Sequence, residues 1–445
     1  MSETLISLGL DVGTTSTQLI FSSLDVENKA GYFSVPDMAI VNRTVLYKSA
    51  IHFTPLLSGD LVDAPALRQI IDEEYQNAGI HKSNVDTGAV IITGETSRKE
   101  NAAAVLHELA GFAGDFVVAT AGPELESILA AKGSGAVSYS ESSGNTVLHM
   151  DIGGGTGNLA LIRNGTITAT SCLNVGGRLL KFDENRRITY LSPVIQDICS
   201  LSVGESITPE QLQPLAATLT SALEMAAGLQ PATDLLDKLW TREIAAPAHP
   251  PMGHGIENLV ISFSGGIADC ISREIPWDAF GDLGPILGQT IRRSKLCHNF
   301  ILGKETIRAT VIGAGCHSAQ LSGSTVFHQN IPFPLKNLPV IPFGRPRVED
   351  GLSVLSMPHI PDANYAQIRD LAAQIAASAG AGPILVCLEQ DMAKALGQAL
   401  AIRLPRETPI LCIDRVKLAE GSYLDIGAPV GPAFPVVVKT LVLSH

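Results

Sequence analysis

The sequence predicts an α/β protein of two similar lobes and a smaller third region. Three observations predict it. Strand-like and helix-like segments alternate through most of the chain. An Asp beside a run of small residues closes a strand at Asp11 and again, far downstream, at Asp151. Each of these turns leads into a second strand-like segment, so one hairpin design opens both lobes.

The elements follow in order. "LISLGLDVG" is an apolar strand ending in a turn, and "TQLIFSSLDV" alternates as the returning strand. "AIVNRTVLYKSAIHF" carries a further strand. Residues 64–79 have helical periodicity, with Pro65 near the start and Gly79 beyond the end. "DTGAVIITGE" is a strand reaching Thr93, and residues 97–111 read as a helix. "DFVVATAGPELESILAAKGSGA" reads as a strand, a break at Gly122-Pro123, then a helix. The second lobe opens at "NTVLHMDIGGG" and repeats strand, Gly-rich turn and strand. Helical material fills 209–240, and 246–255 is a Pro/Gly-rich loop. "IENLVISFSGGIADCI" is a strand, a Gly turn and a helix, and "ATVIGAGCHSAQLSG" is a helix of small residues. The Pro-rich stretch 324–350 has little pattern and is expected to wrap the surface or cross between units. From 330 to 445 α/β character returns, closing with the β-branched "VVVKTLVL".

Composition narrows the class. Hydrophobic residues make up 45% of the 445, enough for large cores, and formal net charge is -13. Without a Lys/Arg-rich block, nucleic acid is not an expected partner. The N-terminus shows no basic region before an apolar run, so no signal peptide is expected there. Apolar runs are broken by Gly, Pro or charge, so no membrane span is expected. The seven cysteines are widely spaced without a CxxC, which fits free thiols in a reducing cytoplasm. His249 and His254 lie five apart in a Pro/Gly loop, a poor pattern for structural zinc. His149 reads as a packed polar residue and Cys172 as a buried thiol.

The twin turns carry chemistry. Around Asp11 stand Gly13, Thr14 and Thr15; beyond Asp151 stand Gly153, Gly154, Gly155, Thr156 and Gly157. Little side-chain bulk lets backbone N–H groups approach phosphate oxygens. Two carboxylates beside a polyphosphate make sense through one hydrated Mg²⁺ between them. A third turn, Ser264, Gly265 and Gly266, follows a strand and precedes a helix, where bare backbone can lie against a nucleoside. No Walker GxxxxGK[ST] is present.

These stretches resemble the actin-like ATPase superfamily. "LDVGTTSTQLIF" and "MDIGGGTGNLALI" are similar to its two phosphate loops, "VISFSGGIAD" to its adenosine motif, and "IGAGCHSAQLSG" to an interdomain connecting helix. The resemblance implies two lobes hinged around an ATP cleft: a first lobe over 1–145, a second over 146–310, a connecting helix over 311–329, and a C-terminal α/β region over 330–445. "TGETSRKENA", "CLNVGGRLL" and "GSYLDIGAPVGPAFPVVVKTLV" narrow it to the ethanolamine ammonia-lyase reactivating factors. That resemblance implies a chaperone-like weak ATPase using ATP and Mg²⁺. Its role would be to release damaged cobalamin from ethanolamine ammonia-lyase so that intact adenosylcobalamin can bind. It also implies a cytoplasmic location, association with a bacterial microcompartment, and room for a homodimer.

By position, Asp11 and Asp151 match Mg²⁺-associated aspartates. Thr14, Thr15 and Gly154 to Gly157 match phosphate contacts, and Gly265 and Gly266 match the adenosine turn. Glu124 matches a water-positioning carboxylate, with Glu126 equally available. The Lys of chaperone ATPases has no clean counterpart; Lys99 and Arg98 are candidates. Two other readings stay open from the residues: a small-molecule kinase using Asp269 or Asp183 as base, and a nucleotide-dependent filament or scaffold.

Overall fold

A computed structural model describes residues 3–13, 16–30, 38–58, 61–93, 117–120, 123–241, 252–253, 255–317, 319–322, 325–344, 352–357, 360, 363–378, 382–416, 418, 422–429 and 433–440. The helix expected over 97–111, the candidates Arg98 and Lys99, the pair His249 and His254, and Thr14 and Thr15 lie outside the described residues.

The two lobes share one sheet topology. In the first, Glu3–Val12 pairs antiparallel with Ser16–Asn28, which pairs antiparallel with Met38–Lys48. On its other side Glu3–Val12 runs parallel to Thr87–Ile92, which runs parallel to Val117–Thr120. In the second, Val147–Ile152 pairs antiparallel with Gly157–Arg163, itself antiparallel to Thr166–Leu173. Val147–Ile152 runs parallel to Val260–Ser264, which runs parallel to Phe300–Leu302. Strand order and sense therefore match along five strands, and the first sheet adds the short strand His52–Phe53 beside Ser16–Asn28.

Local chemistry explains the elements. Helix Ala64–Ala78 starts where the Asp63 side chain accepts from the Ala66 N–H, and stops at left-handed Gly79. It lays Leu67, Ile71 and Tyr75 on the first sheet, against Leu8, Leu10 and Phe21. The second lobe has the larger core, where helix Pro209–Ala226 packs Leu215, Leu219 and Leu223 with Leu159 and Phe263 of its sheet.

Two helices cross between the lobes. Pro123–Gly133 leaves the first-lobe sheet yet packs on the second, with Ser127 Oγ on the Ser171 carbonyl at 3.4 Å. Ala309–His317 leaves the second-lobe sheet yet packs on the first, where Ser7 Oγ donates to the Gly315 carbonyl at 2.6 Å. The helices touch at glycines. A Cβ on Gly133 would stand 1.9 Å from the Ala309 carbonyl, and one on Gly313 2.1 Å from that of Leu129. Only bare backbone allows that approach.

The segment "ATVIGAGCHSAQLSG" is helical to His317, but Ala319–Leu321 is a strand, drawn out by pairing with 435–437. It is an edge of an eight-stranded C-terminal sheet. Leu335–Pro342, Val354–Ser356, Ile384–Cys387 and Ile410–Ile413 run parallel in its middle, under helices Tyr365–Ala377 and Ala393–Ala401. The Pro-rich stretch does not simply wrap the surface. It supplies the edge strand Phe327–Gln329 and the inner strand Leu335–Pro342. Its register against Ser422–Ile426 shifts between Leu335 and Leu338, just before Pro339 pairs opposite Tyr423.

Candidate functional site

Each hairpin turn is closed the same way. Gly13 N–H donates to the Ser16 carbonyl and Gly153 N–H to that of Thr156, both at 2.9 Å. Asp11 lies opposite Gln18 across its hairpin, and Asp151 opposite Asn158. Cross-strand partners share a sheet face, so each carboxylate stands beside a carboxamide.

The carboxylates are half-buried and electrostatically uncomfortable. Burial pushes Asp11 up to about 7, the charge of Asp151 adds to the rise, and a 2.8 Å hydrogen bond from Thr93 Oγ1 opposes it. Burial pushes Asp151 up to about 6, against hydrogen bonds from Ser264 and Thr310. Thr310 belongs to the crossing helix Ala309–His317, so the second-lobe aspartate is tied to the hinge.

Ser264 gives its hydroxyl hydrogen to Asp151 Oδ1. Its oxygen must then accept from His149 Nε2, 3.0 Å away, which leaves Nδ1 to accept from Ser262 at 3.0 Å. Burial pushes His149 down to about 3, so the ring is neutral and the chain from Ser262 to Asp151 has one direction.

The turns leave space where a ligand would need it. A Cβ on Gly155 or Gly266 would meet nothing within 4 Å. Gly265 is different: its φ is +82° and a Cβ would stand 2.3 Å from the Ile152 carbonyl, so this turn lies tight on the second hairpin. Among the described residues no three His, Cys, Asp or Glu side chains converge as a direct metal cage. The donor set suits a hydrated cation instead. Gln18 Oε1 and Asn158 Oδ1 are buried without a hydrogen-bond partner among the described residues, on the same sheet faces as Asp11 and Asp151. Metal-bound waters could satisfy both.

The structure brings Asp11, Asp151, Gly13, Gly153, Gly154, Gly155, Thr156, Gly157, Ser264, Gly265 and Gly266 to the turns of the two hairpins and the strand beside the second. Glu124 is exposed on the first turn of its helix, while Glu126 is buried and accepts from Asn158 Nδ2 at 2.8 Å. Sequence reasoning passed over Asn158, Thr310 and Arg178. Asn158 had a local sign, since it repeats the spacing of Gln18 from Asp11. The kinase bases are engaged elsewhere. Asp269 accepts from Thr306 Oγ1 at 2.6 Å and pairs with Arg273, and Asp183 caps its own turn through the Asn185 and Arg187 N–H groups.

One sheet order built twice, two chain-crossing helices and an aspartate hairpin on each side define the actin-like ATPase fold, with an added C-terminal α/β region. The family model described as ethanolamine utilisation protein EutA matches residues 3–351 and 345–444. Two proteins named ethanolamine ammonia-lyase reactivase EutA are each 37% identical to the chain. The one from Salmonella typhimurium aligns over 468 positions and the one from Escherichia coli K12 over 471, covering 98% of both chains each time. The chain belongs to the EutA family. Among solved structures, a Ppx/GppA-family protein of Aquifex aeolicus aligns at TM-score 0.43 and 12% identity, over 70% of this chain and 97% of that one, too loosely to transfer anything. No helix among the described residues is long and apolar enough to cross a membrane.

Proposed function

We infer that the chain is an ATP-driven reactivating factor of ethanolamine ammonia-lyase. It releases damaged cobalamin from the lyase so that intact adenosylcobalamin can bind. The observation that carries this is the match to curated EutA reactivases over 98% of the chain, lobes and C-terminal region together. The kinase alternative is weakened by Asp269 and Asp183, whose carboxylates are spent on Thr306, Arg273 and local backbone.

In this reading Asp11 and Asp151 hold a hydrated Mg²⁺ on ATP, with Gln18 and Asn158 accepting from its waters. Gly13 and Gly153 to Gly157 present backbone to phosphates, and Gly265 and Gly266 present it to the nucleoside. Bound ATP supplies a hydrolysable phosphoanhydride and Mg²⁺ its charge neutralisation. Thr93 and Ser264 keep the aspartates oriented, and Thr310 relays the state of Asp151 to the crossing helix. That helix runs into the edge strand Ala319–Leu321, a short route from cleft to C-terminal sheet. A homodimer and a cytoplasmic place beside a bacterial microcompartment belong to the same reading.

The test mixes the protein with cyanocobalamin-inactivated lyase, ATP, Mg²⁺ and free adenosylcobalamin. Deamination should return, and should not return without ATP. Failure to recover with folded, nucleotide-binding protein would sink the reading.

A further inference from the structure

We propose that Arg178 is the phosphate-contacting cation of the cleft, aimed by Asp282, and that it sets the preference for nucleoside di- and triphosphates over the bare nucleoside. This rests on the nucleotide reading above.

Three observations place the side chain. The Arg178 N–H donates to the Gly154 carbonyl at 2.6 Å, and Cδ lies 3.3 Å from where a Gly154 Cβ would be. The aliphatic stem therefore lies along the second glycine turn, beside the open space at Gly155. The guanidinium Nε sits 3.4 Å from Asp282 Oδ2, and the Arg178 side chain is still 31% exposed. Asp282 is buried and fixed in turn, its Oδ1 accepting the Gly284 N–H at 2.8 Å. Nε thus serves as the anchor, and the side chain is not fully enclosed. A guanidinium has five donors in a rigid plane, and one contact leaves donors free to bracket a phosphate.

Charge explains why a cation is needed there. Asp11 and Asp151 are carboxylates at the two turns, and the charge of Asp151 acts on Asp11 in the repulsive sense. A polyphosphate entering beside two carboxylates carries more negative charge than one divalent ion offsets. Among the described residues, Arg178 is the cation packed on this turn. The alternative is that Arg178 only neutralises Asp282.

Calorimetry on the full chain separates the two. Adenosine, MgADP and MgATP are titrated into wild type, R178K, R178M and R178M/D282N. In R178M, MgADP and MgATP affinity should fall about 10–100-fold, the worth of a charged hydrogen bond, while adenosine stays within about twofold. R178K keeps the charge without the fork and should recover part of the loss. R178M/D282N removes the stranded carboxylate and should bind phosphates as poorly as R178M does. MgATP binding like wild type in R178M/D282N, or equal loss of adenosine and MgATP in every variant, overturns the proposal. If wild type binds none of the three, the nucleotide reading falls and takes this with it. If wild type binds and reactivates the lyase while R178M/D282N matches it, only Arg178's role falls.

Discussion

Gln18 and Asn158 occupy the same place on the two hairpins, each across the strands from an aspartate. Both turn their amide nitrogens to the links between lobes: Gln18 Nε2 to the Ile307 carbonyl at 3.3 Å, Asn158 Nδ2 to Glu126 at 2.8 Å. Both keep a buried oxygen without a partner among the described residues. An unsatisfied buried acceptor costs about 1–3 kcal/mol, so two at matched positions call for a ligand that satisfies them. Gln18→Met should raise the Mg²⁺ concentration needed for half-maximal ATP binding about tenfold, the usual effect of losing an outer-shell partner. ADP affinity in EDTA should stay put. An unchanged Mg²⁺ titration would remove Gln18 from the cation's surroundings.

Asp11 gives a prediction in pH. Its folded pKa, about 7, lies above its ordinary value of 3.8, so between these the folded state binds the extra proton. The ligand-free protein therefore loses stability as pH rises through that window. Asp11→Asn removes the penalty. It should stabilise the ligand-free protein at pH 8 by about 1–4 kcal/mol, the lower end allowing for solvent at a half-buried carboxylate, and by far less at pH 5. Mg²⁺-dependent ATP binding should be lost in the same variant. Equal melting shifts at pH 5 and pH 8 would show that the carboxylate is not strained.

The glycines divide into two kinds, and the division can be tested. Gly313→Ala would put a methyl 2.1 Å from the Leu129 carbonyl, where only backbone movement makes room. It should cost about 1–3 kcal/mol and separate the crossing helices. Gly155→Ala meets nothing within 4 Å, so melting should change by less than about 0.5 kcal/mol. Its effect should appear in nucleotide affinity instead. Thermal melts with and without ATP read both, and a stable Gly313→Ala protein would mean the hinge is looser than drawn.

What was legible in the sequence was local. The Asp11 and Asp151 hairpins announce themselves through glycine and strand alternation within a dozen residues, and helix Ala64–Ala78 through Pro65 and Gly79. The crossing of the chain between lobes was not legible without a family resemblance, because it depends on Gly133 meeting Ala309 across a long stretch of chain. Glu126 and Glu124 are indistinguishable by composition; only the fold buries one against Asn158 and exposes the other. Strand Leu335–Pro342 was hidden by its own prolines, which the sheet nevertheless holds in register opposite Tyr423 and Ser356. Arg178 sits in a turn that looks structural until Asp282 arrives from a distant segment.

His149 supplies the counter-test to Asp11. Burial holds its folded pKa near 3, below the ordinary 6.5, so between those values the unfolded chain binds a proton that the folded protein refuses. Stability from this residue is present above pH 6.5 and drains as pH falls, by about 2 kcal/mol between pH 6.5 and pH 5. His317, pushed down to about 4 by burial, acts in the same sense. The raised aspartates act in the opposite sense over much of this range, so wild type should show a shallow acid limb. His149→Gln removes the histidine contribution while keeping a donor and an acceptor for Ser264 and Ser262. Its ligand-free melting temperature should rise relative to wild type as pH drops from 7 to 5. A variant that parallels wild type across that range would mean His149 takes up its proton in the folded state, and the one-way hydrogen-bond chain to Asp151 would have to be redrawn.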